Sequence, residues 1–418
     1  MDSYFGELRE QWRPIAAAVI GLSSGLVMSS YVIGIMGPYL VAEFHWPKDQ
    51  LALVGALALG AVLLFPLVGR MTDVYGVRKT AMVGAIASPL MFLALTRISS
   101  LQEYAIMYAL QASILATTTP PVYCRIIVQY IKKARGLALG IAAAGPALAV
   151  AVGGPLLNNF VADHGWRAGY FAMAIYTGVA GLIAILLLPA HRKDGVVKVV
   201  KPKTAREDYG LIFRSGPFWI LFVGILLCNL PQSVMMSQLS LILAENGASG
   251  KDASLMISAY AVGMIIGRLV SGVALDRFPA PLVATIGLAL SGIGLLVIAW
   301  GFDSRPILFL AVLTFGLSLG AESDVVAYLV VRNFGVRIYS TVHSITATST
   351  AIAAVLGSIM LSITLKHYLL YAPFLGVTGV LAVLGSLLFL LLPKNPQIDD
   401  EPIAKAPSVD QPVLVKTA

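Results

Sequence analysis

Gly69-Arg70-Met71-Thr72-Asp73-Val74-Tyr75-Gly76-Val77-Arg78-Lys79 is a short polar stretch set between two long apolar runs, at about 50–68 and 80–98. Each run approaches the roughly 20 residues, rising 1.5 Å apiece, that cross a bilayer core. The stretch is therefore a tight hairpin at a membrane face. Its cations Arg70, Arg78 and Lys79 argue for the cytoplasmic face. Gly69 and Gly76 let two helix ends approach closely. Asp73 can accept hydrogen bonds from the open N–H groups of a neighbouring helix N-terminus, or pair with a cation.

Gly272-Val273-Ala274-Leu275-Asp276-Arg277-Phe278 repeats the Gly-x-x-x-Asp spacing after another long apolar run, roughly 200 residues on. The repeat divides the chain into two related halves. Composition agrees with a polytopic membrane protein: 58% of the 418 residues are hydrophobic and only 12% charged, which no soluble core requires. The formal charge of +8 falls mostly in loops between spans, where topology accounts for it and nucleic acid need not. Cys124 and Cys228 both lie inside apolar runs, so neither a disulfide framework nor a metal or cofactor site is indicated.

Apolar runs lie at about 14–41, 50–68, 80–98, 103–130, 136–161, 168–190, 216–243, 253–275, 281–301, 306–331, 340–364 and 371–392. The fold class expected is an all-α polytopic protein of about twelve transmembrane helices. Residues 1–190 and 216–392 form its two six-helix halves, 191–215 a cytoplasmic linker with room for a surface helix, and 393–418 a disordered tail. The polar N-terminus through Arg13 has no small-residue cleavage site after the first run, so that run reads as a retained span and not a signal peptide. With both termini inside, 21 of the 29 Lys and Arg are cytoplasmic. Six lie outside (Lys48, Arg97, Arg167, Lys251, Arg305, Lys366) and two within spans, a bias that fits this orientation in a cell membrane.

Together the two loops resemble the loop motif of the major facilitator superfamily, at the connections after the second and eighth spans. The resemblance implies a central site between the halves, opened alternately to each side by rocking. It also gives Gly69, Asp73, Gly76, Arg78, Gly272, Asp276 and Arg277 a role in the conformational change. The stretch from Lys132-Lys133-Ala134-Arg135-Gly136 to Gly145 is similar to the link between spans four and five of the monocarboxylate and oxalate/formate branch. The long first span ending in Glu43-Phe44-His45-Trp46, and Gly165-Trp166-Arg167 before span six, fit the same branch. Two features depart from it. Animal monocarboxylate carriers place an Asp one turn before an Arg on span eight and a Lys on span one; here Arg268 is preceded by Met264, and span one has no Lys. Whatever carries protons must differ. Gly145-Pro146 and Gly153-Gly154-Pro155 on span five resemble an antiporter motif with altered spacing, and close helix packing is the preferred reading of them.

Ionisable side chains within spans are costly and need a partner or a wet cavity. Four stand out: Arg125 on span four, Arg268 on span eight, and Glu322 and Asp324 on span ten. Arg268 and Asp324 each lie eight residues from a loop charge, roughly 12 Å inside the boundary, and could pair. Arg125 lies near the same plane and either joins them or snorkels to the headgroups. Glu322 and Asp324 are about 200° apart around a helix, so both cannot face one cavity. Asp324 shares its face with Gly316, Gly320, Ala327 and Tyr328, a stripe suited to a cavity or a tight contact, and Glu322 is expected to reach a neighbouring helix. Tyr31 on span one, Tyr123 on span four, Asn229 and Gln232 around Pro231 on span seven, and His343 are further candidate pocket residues, each open to reading as interhelical glue.

These residues point to a secondary transporter, not an enzyme, moving a small organic anion. Arg268, with Arg125, would bind a carboxylate bidentately, and Asp324 or Glu322 would couple the cycle to protons. The partners are this anion, protons and the bilayer, and the expected state is a monomer. Two alternatives stand beside this reading: a proton-driven efflux antiporter for amphipathic cations, and a non-transporting membrane sensor on the same fold.

Overall fold

The computed structural model describes residues 4–46, 54, 60, 62–189, 204–248, 250–300 and 304–393. Most of the second expected span, linker residues 191–203 and the tail from 394 onward lie outside these. Among the described residues the chain is helical, without strands. Among the described residues nine segments are long and apolar enough to cross a bilayer unaided. Of the other three expected spans, the second lies mostly outside the described residues, and the fourth and seventh are broken.

The second span is described mainly as α4 (Phe65–Tyr75), after α1 (Tyr4–Glu10), α2 (Trp12–Ser23) and α3 (Leu26–Phe44). The third is α5 (Val77–Leu95). The fourth, expected as one helix, is broken into α6 (Leu101–Leu115) and α7 (Pro120–Tyr130). Its Thr-Thr-Thr-Pro-Pro sequence explains the break, because Thr117, Thr118 and Thr119 each donate a hydroxyl to the carbonyl three residues back, at 2.6–2.7 Å. Pro120 and Pro121 then open the next helix without needing N–H partners. The seventh span is likewise split by Pro231 into α11 (Gly216–Asn229) and α12 (Gln232–Glu245).

The first span is also interrupted, between α2 and α3, and the two breaks answer each other. Thr118 Oγ1 accepts the Leu26 N–H at 3.1 Å, restoring a partner to a backbone group that would otherwise be orphaned within the membrane. Gly25 permits the approach, since a Cβ there would lie 2.7 Å from Thr118 Cβ.

The remaining spans are long helices: α8 (Arg135–His164), α9 (Trp166–Leu187), α13 (Gly250–Arg277), α14 (Ala280–Ala299), α15 (Arg305–Phe334), α16 (Tyr339–Tyr368) and α17 (Ala372–Leu388). Between α9 and α11 lies a short amphipathic helix, α10 (Ala205–Arg214), opened by a Thr204/Glu207 capping box. It meets α11 at 70°. Small residues set the tightest packing: Gly316 and Gly320 of α15 lie on the backbone of Tyr260 and Met264 of α13, and Gly263 and Gly267 of α13 on Leu313 and Leu317 of α15. Gly316 and Gly320 thus form a tight contact, not a cavity wall.

The first six spans meet the last six at one end of the bundle, here termed the motif end because both Gly-x-x-x-Asp stretches lie there. Neither is a loop, since Gly69–Asp73 belongs to the last turns of α4, with the chain turning at Gly76, and Gly272–Asp276 to the last turns of α13. At that end Gly136 of α8 packs on Gly272 of α13, and Gly69 of α4 on Ser340 and Ser344 of α16. Burial along α16 records the asymmetry. Every residue from 338 to 346 is buried, whereas beyond them the buried positions are 349, 353, 357 and 361, a single face. At the far end the described ion pairs, Glu43 with Arg167 and Asp252 with Arg305, each stay within one half. The halves therefore close on each other at the motif end and separate towards the other.

Candidate functional site

Both motif aspartates are helix-terminus acceptors bridging the halves. Asp73 accepts the backbone N–H groups of Ser340 and Thr341, at 3.1 and 2.7 Å, and the Thr341 hydroxyl at 2.6 Å. Asp276 accepts the Gly136 and Leu137 N–H groups at 2.6 and 3.0 Å. Each thus places a negative charge on the open N–H groups of a helix from the opposite half, α16 or α8.

Further contacts reinforce this closure, and the sequence did not reveal them. Asp208 of α10, 1% exposed, holds Arg70 of α4 with one carboxylate oxygen and Arg337, ahead of α16, with the other, both at 2.5 Å. In the N-terminal helix α1, Glu7 accepts the N–H groups of Lys132, Lys133 and Ala134 at 2.8–2.9 Å, a contact within the first half that seats α1 beside the closure. Tyr4 donates its hydroxyl to Asp276 at 2.8 Å. Partial burial alone would push the Glu7 carboxyl up, but the three amide donors outweigh it and hold it below the usual carboxylate range. The Thr204-x-x-Glu207 capping pattern was the available signal for α10; nothing in sequence pairs Asp208 with arginines over a hundred positions away in each direction.

Inward from this closure lies a group of charges. Arg268 of α13 donates through Nη1 to the carbonyl oxygen of Ala143 on α8, across the two halves. Its buried Nε has no hydrogen-bond partner. Glu322 and Asp324 both act electrostatically on Arg268, yet neither forms an ion pair with it within 4 Å among the described residues. Asp324 is 1% exposed, with Oδ1 accepting the Ser323 hydroxyl at 3.3 Å and Oδ2 unpartnered. It points to α8, where a Cβ at Gly140 would lie 3.4 Å from Oδ2. Glu322 is turned to α11, accepting the Asn229 amide at 2.8 Å. The unbroken α15 thus sends its two carboxylates to different neighbours, as their 200° separation requires.

Arg268, Glu322, Asp324 and Asn229 are therefore together. Other candidates lie elsewhere. Arg125 pairs with Asp73 at the motif end, neither joining Arg268 nor snorkelling. Tyr123 is 1% exposed and fills the space beside Gly21 of α2. His343 is buried in the closed interface with its ring 5.3 Å from that of Tyr339. Gln232 begins α12 and is half-buried. Tyr31 is 54% exposed and lines a cavity between α3 and α8. Gly145 packs against Val19 and Ser23, but Gly154 has nothing within 4 Å of a Cβ. The second glycine-proline cluster of span five is thus open, against the close-packing reading.

A family model described as Major Facilitator Superfamily matches residues 17–237 and 224–416, nearly the whole chain. The chain belongs to the major facilitator superfamily. Its coarse function is accordingly transport across a membrane. Among curated proteins it is similar to monocarboxylate transporter 11 of mouse, 28% identical over 74% of this chain and 71% of the relative. Monocarboxylate transporter 13 of cattle is 24% identical over 72% of each. These likenesses agree with the branch suggested by residues 132–145. Among solved structures, a bacterial homologue of the iron transporter ferroportin in an outward-facing state superposes with a TM-score of 0.71, at 15% identity over 91% of this chain and 98% of that one. A proton:xylose symporter superposes at 0.69, with 13% identity over 93% and 96%. At these identities the two structures speak for the fold alone.

Proposed function

We propose that this superfamily member carries a small organic carboxylate together with protons, by alternating access, and that its motif end faces the cytoplasm. One observation carries the reading: a guanidinium, Arg268, held across the interface of the halves, with a free buried Nε and two carboxylates nearby that do not close on it. A planar guanidinium offers paired N–H donors to a carboxylate and is well suited to a site shielded from water.

Charge accounts for the coupling. Arg268 with ionised Glu322 and Asp324 sums to one negative charge, and an arriving anion would make it two. In a low-dielectric site like charges repel strongly. A proton on one carboxylate removes that repulsion, so anion and proton favour each other's binding, which is the linkage a symporter needs. The names of the similar monocarboxylate transporters support the choice of anion. The surplus of Lys and Arg on the motif side supports the orientation.

The test is uptake of labelled monocarboxylates into proteoliposomes of purified protein, with and without an inward proton gradient. Accumulation driven by the gradient is expected. Equal, non-accumulating uptake in both conditions would contradict coupling, and no uptake of any carboxylate would contradict the substrate class.

A further inference from the structure

The cavity between α3 and α8 has a volume of about 600 Å³ and includes Tyr31, Ile35, Tyr39, Val150, Gly154 and Asn158 in its lining. Its position relative to Arg268 follows from the helix it shares with the site. Gly136, Gly140 and Ala143 of α8 face the other half, through Gly272 and Arg268. Eleven residues return a helix to within about 20° of the same direction, so 151 follows from 140 and 154 from 143. Ala151 and Gly154 line the cavity. The cavity therefore lies on the inter-half face of α8, above the closed end. Its near edge, at Val150, is seven residues beyond Ala143, roughly 10 Å along the helix.

The chemistry of this wall differs from that of its floor. Its polar groups are the hydroxyls of Tyr31 and Tyr39 and the amide of Asn158; the rest is apolar or glycine and proline, and among the described residues no charged side chain lines it. Phenol rings offer large, stiff apolar faces with a polar tip. A second carboxylate or a cationic group on the substrate would find no counter-charge here, whereas an aromatic or aliphatic body would be desolvated against it.

We propose that this vestibule selects monocarboxylates with a long, uncharged, apolar or aromatic body, whose carboxylate sits at Arg268 and whose far end lies between Tyr31 and α8. The inference rests on the carboxylate-carrier reading and names the substrate class of the same site. It separates an acid spanning about 10 Å, such as 4-phenylbutyrate, from acetate or pyruvate, which reach only the floor, and from succinate, which brings a second charge.

Glycine supplies a clean perturbation. A Cβ at Gly34 or Gly154 meets nothing within 4 Å, so Gly34→Leu and Gly154→Leu add bulk to the vestibule from a Cβ that meets no neighbour. A helical Leu leans back over the preceding turn, which for Gly154→Leu is the near edge at Val150, and Leu favours the helix over Gly. Uptake of 4-phenylbutyrate, acetate and succinate into proteoliposomes is compared for the wild type and each variant, with the ratio of 4-phenylbutyrate to acetate as the readout. That ratio is independent of folded yield. The wild type should prefer 4-phenylbutyrate and reject succinate, and each variant should lower the ratio roughly tenfold, the scale of selection by steric fit in an apolar pocket. A wild type that moves acetate as well as 4-phenylbutyrate, with the ratio unchanged in both variants, overturns the vestibule while leaving the carboxylate carrier standing. A wild type that moves none of the three overturns both.

Discussion

Asp73 receives both the backbone N–H and the hydroxyl of Thr341, at 2.7 and 2.6 Å, from a residue 268 positions along the chain. The second repeat makes the corresponding contact in reverse, Asp276 taking the Gly136 and Leu137 N–H groups. Each half thus caps a helix of the other. Loss of a charge-assisted hydrogen bond costs about 1.5–3 kcal/mol, roughly tenfold or more in the balance between closed and open.

Cys124 offers a reporter for that balance, being a free thiol only 5% exposed within the closed region. In a Cys228→Ser background, Asp73→Asn should raise the rate of Cys124 labelling by a soluble maleimide roughly tenfold. An unchanged rate would mean that the Asp73 bridge does not hold the halves together.

The α1 contact should respond to acid in a definite sense. Glu7 is held below the usual carboxylate range in the folded protein, so its contribution is complete at neutral pH and is lost only as the pH falls through that lowered value. Glu7 seats α1, whose Tyr4 crosses to Asp276, so Glu7→Gln at pH 7 should speed Cys124 labelling. Wild type at pH 5.5 should be as protected as at pH 7 once each rate is divided by that of the unfolded protein at the same pH, because the thiolate is the reacting form. A loss of that normalised protection in the wild type between these two values, with no effect of Glu7→Gln, would refute this assignment.

Orientation is tested by single exposed cysteines in a background lacking Cys124 and Cys228. Lys79→Cys and Arg206→Cys, both at the motif end, should resist an impermeant thiol reagent in intact cells, and Leu369→Cys should react. Leu369 is 83% exposed and ends α16 at the opposite end. The reverse pattern would invert the topology.

How much of this was legible depended on the range of each interaction. The membrane fold followed from runs of apolar residues and from two copies of one loop, both local signals. The breaks in spans one and four were not anticipated, although Gly25 and the Thr-Thr-Thr-Pro-Pro run carry a local signal for them; the Leu26–Thr118 bond that joins them has no local signal. Opposite faces for Glu322 and Asp324 followed from helical period alone. Depth was less informative: Arg125 and Arg268 lie at similar distances from their loops, yet one pairs with Asp73 and the other reaches Ala143. Sequence spacing fixes height along a helix; the partner depends on rotation and on which half closes against which.

Coupling is expected to reside on α15. Asp324→Asn keeps the shape of a protonated acid, so gradient-driven accumulation should be lost while exchange of carboxylate for carboxylate persists. Glu322→Gln, whose partner Asn229 can still hydrogen-bond an amide, should retain accumulation. Loss at Glu322 alone would reverse the assignment, and full accumulation in both variants would remove α15 from coupling.

The most direct test of the account is equilibrium binding of a labelled monocarboxylate to purified protein, comparing wild type with Arg268→Lys and Arg268→Ala. Lys keeps the charge and loses the planar fork, so affinity should fall by roughly tenfold in Arg268→Lys and by 100-fold or more in Arg268→Ala, on the scale of about 1.5–3 kcal/mol for each charged hydrogen bond lost. Wild-type affinity in a folded Arg268→Ala protein would contradict the claim that this guanidinium holds the anion.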